Sequence, residues 1–207
     1  MVRSRVKAVD RVGVLGGTFD PPHCAHLALA RAVRDALNLG RVLFVPAADP
    51  PHKRGKDMSP ASARLEMLEL ALTGQAGMCL SRLDVDRPGP HYSLDTMRLL
   101  RRDSPDASFW FVMGADSLRD LPDWNRPLDL VSLCRLAVVP RPGVCVRPDM
   151  HEAVLPGLER SVDMVDCAPL PHASHDIVAR LKAGGDVSDL VPPAVLDYIA
   201  ARGLYRV

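Results

Sequence analysis

The chain has 207 residues, 47% of them hydrophobic, which is enough for one domain with a substantial core. Lys and Arg total 26 against 25 Asp and Glu, and a formal net charge of +1 gives no reason to expect a nucleic-acid or membrane partner. No apolar run approaches a membrane span, and the first residues lack the apolar core of a secretion signal, so we expect a cytoplasmic protein.

Short apolar runs alternate with amphipathic stretches along the chain, a pattern typical of a parallel sheet covered by helices on both faces. Strands are predicted at residues 12–15, 41–46, 78–83, 108–113, 135–139 and 162–166. Helices are predicted at residues 26–37, 62–73, 93–102, 115–121, 128–133, 176–183 and 193–202. The pattern indicates a doubly wound, mainly parallel α/β sheet with C-terminal helices, which binds ligands at the carboxyl ends of its strands. We predict an N-terminal extension over residues 1–10 and a single domain over residues 11–207.

The run from Val12 to Leu27 joins a buried-type strand, two glycines and two histidines at the start of a helix. Gly16 and Gly17 predict a sharp turn in which the backbone comes close to a ligand. Amide groups at a helix start point outward, and the helix dipole adds partial positive charge there. His23 and His26 are three residues apart, so they share one helix face and can both donate hydrogen bonds to one polyphosphate.

The spacing of these glycines matches neither the dinucleotide fingerprint nor the P-loop. A His-x-x-His pair by itself is more often a satisfied pair on a helix than a ligand site. The glycine pair directly in front of it favours a ligand site here.

Three later polar segments also follow predicted strands, over residues 46–55, 87–96 and 114–124. The first is basic and stiffened by prolines, and alone it would be an ordinary solvated loop. Because all of these segments come at the carboxyl ends of strands, we expect them to meet at one edge of the sheet.

Other chemistry finds little support in the sequence. The five cysteines include no Cys-x-x-Cys pair and are odd in number, so neither a disulfide framework nor a structural zinc site is predicted. The remaining histidines are too scattered to compose a metal cage, and we predict no metal-ligating residues.

Taken in order, these segments resemble the bacterial nicotinate-nucleotide adenylyltransferases, a branch of the nucleotidyltransferase superfamily. The stretch Gly16–His26 resembles the superfamily signature Gly-Gly-x-Phe-Asp-Pro-x-His-x-Gly-His. The resemblance spans residues 11–205 and continues at residues 50–53, 92–96, 114–117, 124, 141–143 and 191–199. It implies a Rossmann-like nucleotidyltransferase fold.

The resemblance implies an enzyme of NAD biosynthesis that transfers AMP from ATP to nicotinate mononucleotide, giving nicotinate adenine dinucleotide and pyrophosphate. The phosphate of the acceptor attacks the α-phosphorus of ATP directly, so catalysis consists of positioning and charge stabilisation. By resemblance, His23, His26 and Lys53 are the catalytic residues, acting on the ATP phosphates and the departing pyrophosphate. Mg²⁺ is expected on the phosphate oxygens.

The resemblance also implies two sets of binding residues. Those expected to contact ATP are Gly16, Gly17, Thr18, Phe19, His23, His26, Gly114, Asp116 and Ser174. Those expected to contact nicotinate mononucleotide are Asp20, Lys53, Ser93, Trp124 and Asn125.

Within the acceptor set, Trp124 is expected to stack on the pyridine ring, while Ser93 and the amide of Asn125 receive the nicotinate carboxylate. Asp20 and Asp116 are expected to orient groups or contact ribose. The alternative for Trp124 is core packing, but its polar neighbours favour an exposed loop.

The chain departs from the family pattern near its C-terminus, where Ser-Ser-Thr-x-Ile-Arg corresponds to residues 173–178. Ser174 is retained and predicted to cap a helix. His175 replaces the threonine and Val178 replaces the arginine. Arg180 lies two residues on, about 200° around a helix, and cannot simply substitute. We expect the triphosphate to lack one cation unless His175 or another residue supplies it.

Two milder departures are Ala25, where the signature has glycine, and Ala47 or Ala48, where relatives commonly have asparagine. These changes leave two alternatives open. One is a related adenylyltransferase acting on nicotinamide mononucleotide or another phosphorylated acceptor. The other is a non-catalytic relative that only binds nucleotide. Homo-oligomer formation is also left open.

Overall fold

A computed structural model describes residues 10–50, 58–141, 143–167 and 173–205. Six parallel strands form one sheet in the order β3-β2-β1-β4-β5-β6. The strands are β1 (Arg11–Gly17), β2 (Arg41–Pro46), β3 (Met78–Leu80), β4 (Ser108–Gly114), β5 (Arg135–Val139) and β6 (Val162–Met164). The sheet grows outward in both directions from the β1–β4 pair, so the predicted doubly wound fold is confirmed.

Helices follow most strands. They are α1 (Cys24–Ala36), α2 (Ala61–Leu72), α3 (Ser93–Asp103), α4 (Ala115–Arg119), α5 (Pro127–Leu133), α6 (Ser174–Lys182) and α7 (Pro193–Arg202). Short 3₁₀ turns occupy Leu121–Asp123 and Leu158–Ser161. Within the described ranges, no helix has the length and apolar character needed to cross a bilayer.

The two faces of the sheet are buried under different helices. In β4, Phe109, Phe111 and Met113 point to one core cluster, which α3, α4 and α5 cover. The residues between them, Trp110 and Val112, point to a second cluster covered by α1 and α2. This alternation explains why β4 is a continuous apolar run, because a strand buried on both faces has no solvated side. A third cluster joins α2, α6 and α7.

Several predicted boundaries need correction. β3 ends at Leu80 and β6 at Met164, both earlier than predicted, although the amides of Ser81 and Val165 each add one further bond to a neighbouring strand. α4 ends at Arg119 instead of residue 121, because Pro122 has no N–H to continue the helix. α1 and α6 begin two residues earlier than predicted, at Cys24 and Ser174. The predicted extension and single domain stay predictions.

Candidate functional site

An open cleft of about 210 Å³ lies at the carboxyl edge of the sheet, where β1 and β4 lead to opposite sides. This is the switch point of a doubly wound fold, where ligands bind. The start of α1, the ends of β4 and β5 and the start of α6 surround it. The residues that line it are His23, Ala25, His26, Leu29, Gly114, Val139, Pro140, Arg141, Ala173 and Ser174.

The two motif histidines stack against each other at the start of α1. His23 is the extended residue that precedes the helix, and its ring centroid lies 3.7 Å from that of His26. The backbone N–H of His23 donates to Nδ1 of His26 at 3.2 Å. Nδ1 of His26 is therefore an acceptor, so the neutral ring carries its proton on Nε2. Nε2–H is then the donor that this ring can offer to a ligand in the cleft.

The prediction that the two glycines make the turn is wrong. Gly16 and Gly17 are the last residues of β1 and pair with Val45 and Pro46 of β2. The left-handed residue is Phe19, with φ of 49°. A Cβ on Gly17 would lie 3.1 Å from the Phe19 ring, which is 1% exposed. Gly17 thus makes room for this buried ring, and the burial of the ring offsets the strain of its backbone.

The loop after β1 and the first residue of α1 are held by four segments from later in the chain. Cys24 N–H donates to the carbonyl of Leu190 at 2.8 Å. The hydroxyl of Ser174 donates to the carbonyl of Pro21 at 3.1 Å. Asp20 accepts hydrogen bonds from the backbone N–H of Ser59 at 3.0 Å and from the hydroxyl of Tyr205.

Asp20 is therefore tied into the protein through both carboxylate oxygens, and it is absent from the residues that line the cleft. Burial of the phenol, reinforced by its bond to Asp20, raises the pKa of Tyr205, so the hydroxyl stays protonated and keeps donating. This carboxylate fixes the loop that carries the histidines.

Ser174 lines the cleft, as expected for a residue near ATP, but it does not cap its helix. The residue before α6 is Ala173, whose N–H donates to the carboxylate of Asp176 at 3.1 Å. His175 is 82% exposed and pairs with Asp176, so it brings no cation into the cleft. Val178 is not among the lining residues either.

Arg141 is a site residue to which the sequence prediction assigned no contact. It follows β5 and is the only Lys or Arg among the described residues that line the cleft. Its guanidinium pairs with Asp116 in the first turn of α4, with side-chain exposures of 41% and 32%. The available signal was its place directly after a strand, the same place that marked the other segments.

Of the remaining expected ATP residues, only Gly114 is among the described residues that line this cleft, and Gly16, Gly17, Thr18, Phe19 and Asp116 are not. Gly114 ends β4 and lines the cleft. Thr18 is buried, and its carbonyl accepts a bond at 2.8 Å from the guanidinium of Arg64 in α2.

The expected acceptor residues are less closely assembled. Ser93 is the first residue of α3, and Asn125 is exposed in the loop before α5. Trp124 is half-buried, and its ring contacts that of Phe111 edge-on, with 5.9 Å between the ring centroids. Part of the Trp124 ring therefore packs against the core. None of the three lines the cleft described above. Lys53 lies outside the described residues.

Comparison with known proteins shows the family of this chain and then the branch within that family. Residues 14–180 match the family model described as cytidylyltransferase-like. A Thermomicrobium roseum protein named "Probable nicotinate-nucleotide adenylyltransferase" is 43% identical, over 96% of this chain and 92% of its own length. A Gloeobacter violaceus protein of the same name is 42% identical, over 96% of this chain and 97% of its own length.

The fold also matches a solved structure, the Plasmodium falciparum nicotinic acid mononucleotide adenylyltransferase in complex with NaAD. The TM-score is 0.79 at 18% identity, over 95% of this chain and 97% of that one. The chain belongs to the cytidylyltransferase-like family, in the branch whose members are named nicotinate-nucleotide adenylyltransferases. Members of this class are nucleotidyltransferases, as the sequence predicted.

Proposed function

We propose that the protein transfers AMP from ATP to nicotinate mononucleotide, giving nicotinate adenine dinucleotide and pyrophosphate. The observation that carries this proposal is the stacked histidine pair at a helix start, inside a cleft at the switch point of the sheet. The relatives at 42% and 43% identity, both named nicotinate-nucleotide adenylyltransferases, support the choice of acceptor.

The triphosphate would lie over the start of α1, where backbone amides and the helix dipole favour negative charge. His23 and His26 would donate to its oxygens, and Lys53, by resemblance, would add a cation. The acceptor phosphate attacks the α-phosphorus in line, and pyrophosphate leaves. The protein supplies no nucleophile, so these donors act by stabilising charge that develops in the transition state.

Arg141 would supply the cation that Val178 does not. In the free protein Asp116 neutralises this guanidinium. An incoming triphosphate can take over the guanidinium, because phosphate oxygens accept its paired N–H groups bidentately. The exchange would release Asp116 to accept a hydrogen bond from a ribose hydroxyl, which fits its predicted role.

Mg²⁺ would enter as part of the substrate, bound to the ATP phosphates. The part of the chain that the structure describes contains no group of three or more His, Cys, Asp or Glu side chains placed to hold a metal ion. Mg²⁺ commonly keeps several waters and binds largely through substrate phosphates, so it does not need a dedicated protein cage.

On the acceptor side, we propose that the exposed part of Trp124 stacks on the pyridine ring, with Ser93 and Asn125 near the nicotinate carboxylate. Asp20 acts through the loop it fixes.

The five free thiols suit a reducing compartment, and together with the use of ATP they support the cytoplasm as the place of action.

A single-turnover assay with excess enzyme, Mg²⁺, ATP and one mononucleotide tests the proposal. We expect nicotinate adenine dinucleotide and pyrophosphate in equal amounts, with nicotinamide mononucleotide reacting more slowly. Faster reaction with nicotinamide mononucleotide would indicate the related adenylyltransferase. ATP binding in calorimetry without any dinucleotide would indicate a non-catalytic relative and would defeat the enzymatic proposal.

A further inference from the structure

A fully buried guanidinium contacts the loop after β1, outside the residues so far assigned a role. Arg64 in the first turn of α2 is 1% exposed. Its Nη1 donates to the carbonyls of Thr18 and Ala47, both at 2.8 Å. Its Nε donates to the carbonyl of Ser59 at 3.0 Å, and its Nη2 to that of Ala48 at 3.3 Å.

These four carbonyls belong to three separate segments. Thr18 lies in the loop after β1, five residues before His23. Ala47 and Ala48 come directly after β2, and the chain continues from them towards Lys53. Ser59 precedes α2. One side chain therefore joins the loop that carries the histidines to the loop that follows the neighbouring strand.

A guanidinium buried in this way is not the most effective group for stabilising a core. Taking a guanidinium out of water costs several kcal/mol, and apolar groups of similar volume often stabilise a protein as well or better. Burial lowers the pKa of Arg64, while the nearby Asp20 and Tyr205 oppose that shift. What the guanidinium uniquely offers is a rigid planar fork that can hold several carbonyls in fixed relative positions.

We propose that Arg64 is a positioning residue for adenylyl transfer, holding the loop after β1 and the loop after β2 at a fixed separation. The role rests on the proposed function. Phe19 lies between Thr18 and His23 in a left-handed conformation, so a shift of the Thr18 carbonyl would be passed on to the histidine pair. A displacement near 1 Å of catalytic groups can cost a hundredfold in rate.

The chain offers a matched control at the opposite edge of the sheet. Arg101 in α3 donates to the carbonyls of Ala107 and Leu133, both at 2.6 Å. Those carbonyls come just before β4 and β5, at the amino ends of the strands and away from the cleft. Arg101 thus joins a loop to the end of α5, much as Arg64 joins two loops, but on the side where no ligand is expected.

The experiment compares Arg64→Met, Arg64→Lys and Arg101→Met by urea unfolding and by kcat and KM, at a temperature where each variant is folded. We expect Arg64→Met to lower kcat about tenfold to a hundredfold, with much smaller changes in KM for ATP. Arg64→Lys keeps the charge without the planar fork, and we expect an intermediate kcat. Arg101→Met should lower the urea midpoint and leave kcat within about twofold of the wild type.

Normal kcat in folded Arg64→Lys and Arg64→Met would overturn the positioning role, as would an equal loss in Arg101→Met. If Arg64→Met does not fold, the kcat of Arg64→Lys decides. The proposed function fails in a different way, through a wild-type protein that makes no dinucleotide, and the role of Arg64 would fall with it.

Discussion

The residues proposed to bind the triphosphate (the phosphate side) and those proposed to bind the acceptor (the acceptor side) differ in how they come together. On the phosphate side, His23, His26, Arg141 and Ser174 line one cleft, although they come from three distant parts of the chain. On the acceptor side, Ser93, Trp124 and Asn125 do not line this cleft, and the Trp124 ring packs against Phe111. In the absence of substrate, the residues proposed for the phosphates therefore share one cleft, whereas those proposed for the acceptor do not line it. Substitutions on the two sides should therefore affect different kinetic constants.

The largest effect is expected for His26→Ala on the phosphate side. Loss of its donor should lower kcat about a hundredfold or more, which corresponds to about 2.7 kcal/mol or more of barrier. Steady-state assays with both substrates saturating measure this, and circular dichroism checks the fold. His175→Ala is the control, because His175 is exposed and outside the cleft. Unchanged turnover in His26→Ala would remove this residue from the mechanism.

Arg141→Met should come next, since it removes a cation from the cleft and leaves Asp116 without its partner. We expect kcat/KM for ATP to fall about tenfold to a hundredfold, the loss typical of a charge-assisted contact. Arg147→Met is the matched control, because Arg147 pairs with Asp149 in the same way on the protein surface. If both variants behaved alike, Arg141 would have no special place in the site.

Trp124→Ala should act on the acceptor side alone. A lost ring contact is worth about 0.5–1.5 kcal/mol, so KM for nicotinate mononucleotide should rise about threefold to tenfold, with KM for ATP unchanged. The control is Trp110→Phe, which removes a partly buried hydrogen bond to Asp163 and should lower stability without changing either KM. A change confined to KM for ATP would show that the acceptor pocket is misplaced.

The smallest effect is expected for Val178→Arg, which restores the family residue on α6. A partly exposed ion pair is worth up to about 1 kcal/mol, so KM for ATP should fall by no more than about fivefold. Val178→Gln is the control, because it lengthens the side chain without adding a positive charge. In an Arg141→Met background the gain should be larger, since the two cations would serve the same phosphates. No gain in either background would mean that residue 178 does not face the triphosphate.

The sequence predicts contacts between residues that are close together in the chain, and it does not predict contacts between residues that are far apart in the chain. The pairing of His23 with His26 is local, because the residue that precedes a helix lies next to the third residue of that helix. The parallel sheet was likewise visible from its apolar runs. Arg141 was not assigned, because its neighbours depend on which strand lies beside β5. The turn was assigned to glycine since glycine adopts positive φ at least cost, and sequence alone does not show that burial holds Phe19 there.

Asp20 is the clearest example of a residue whose contacts could not be predicted from the sequence. Its partner Tyr205 is 185 residues away, so an acidic residue in a site motif could not be distinguished from a ligand contact before the fold was known. Its neighbours Pro21 and Cys24 depend on Ser174 and Leu190 in the same manner.

These distant contacts have a consequence for biosynthesis. The loop after β1 leaves the ribosome early, but Ser174, Leu190 and Tyr205 are made far later. At about 5–20 residues per second, residue 20 waits roughly ten to forty seconds for residue 205. A nascent chain can form β1 and β2 during that interval, yet it cannot complete the loop that presents the histidines. We therefore expect nucleotide binding to be acquired only after residue 205 has been made.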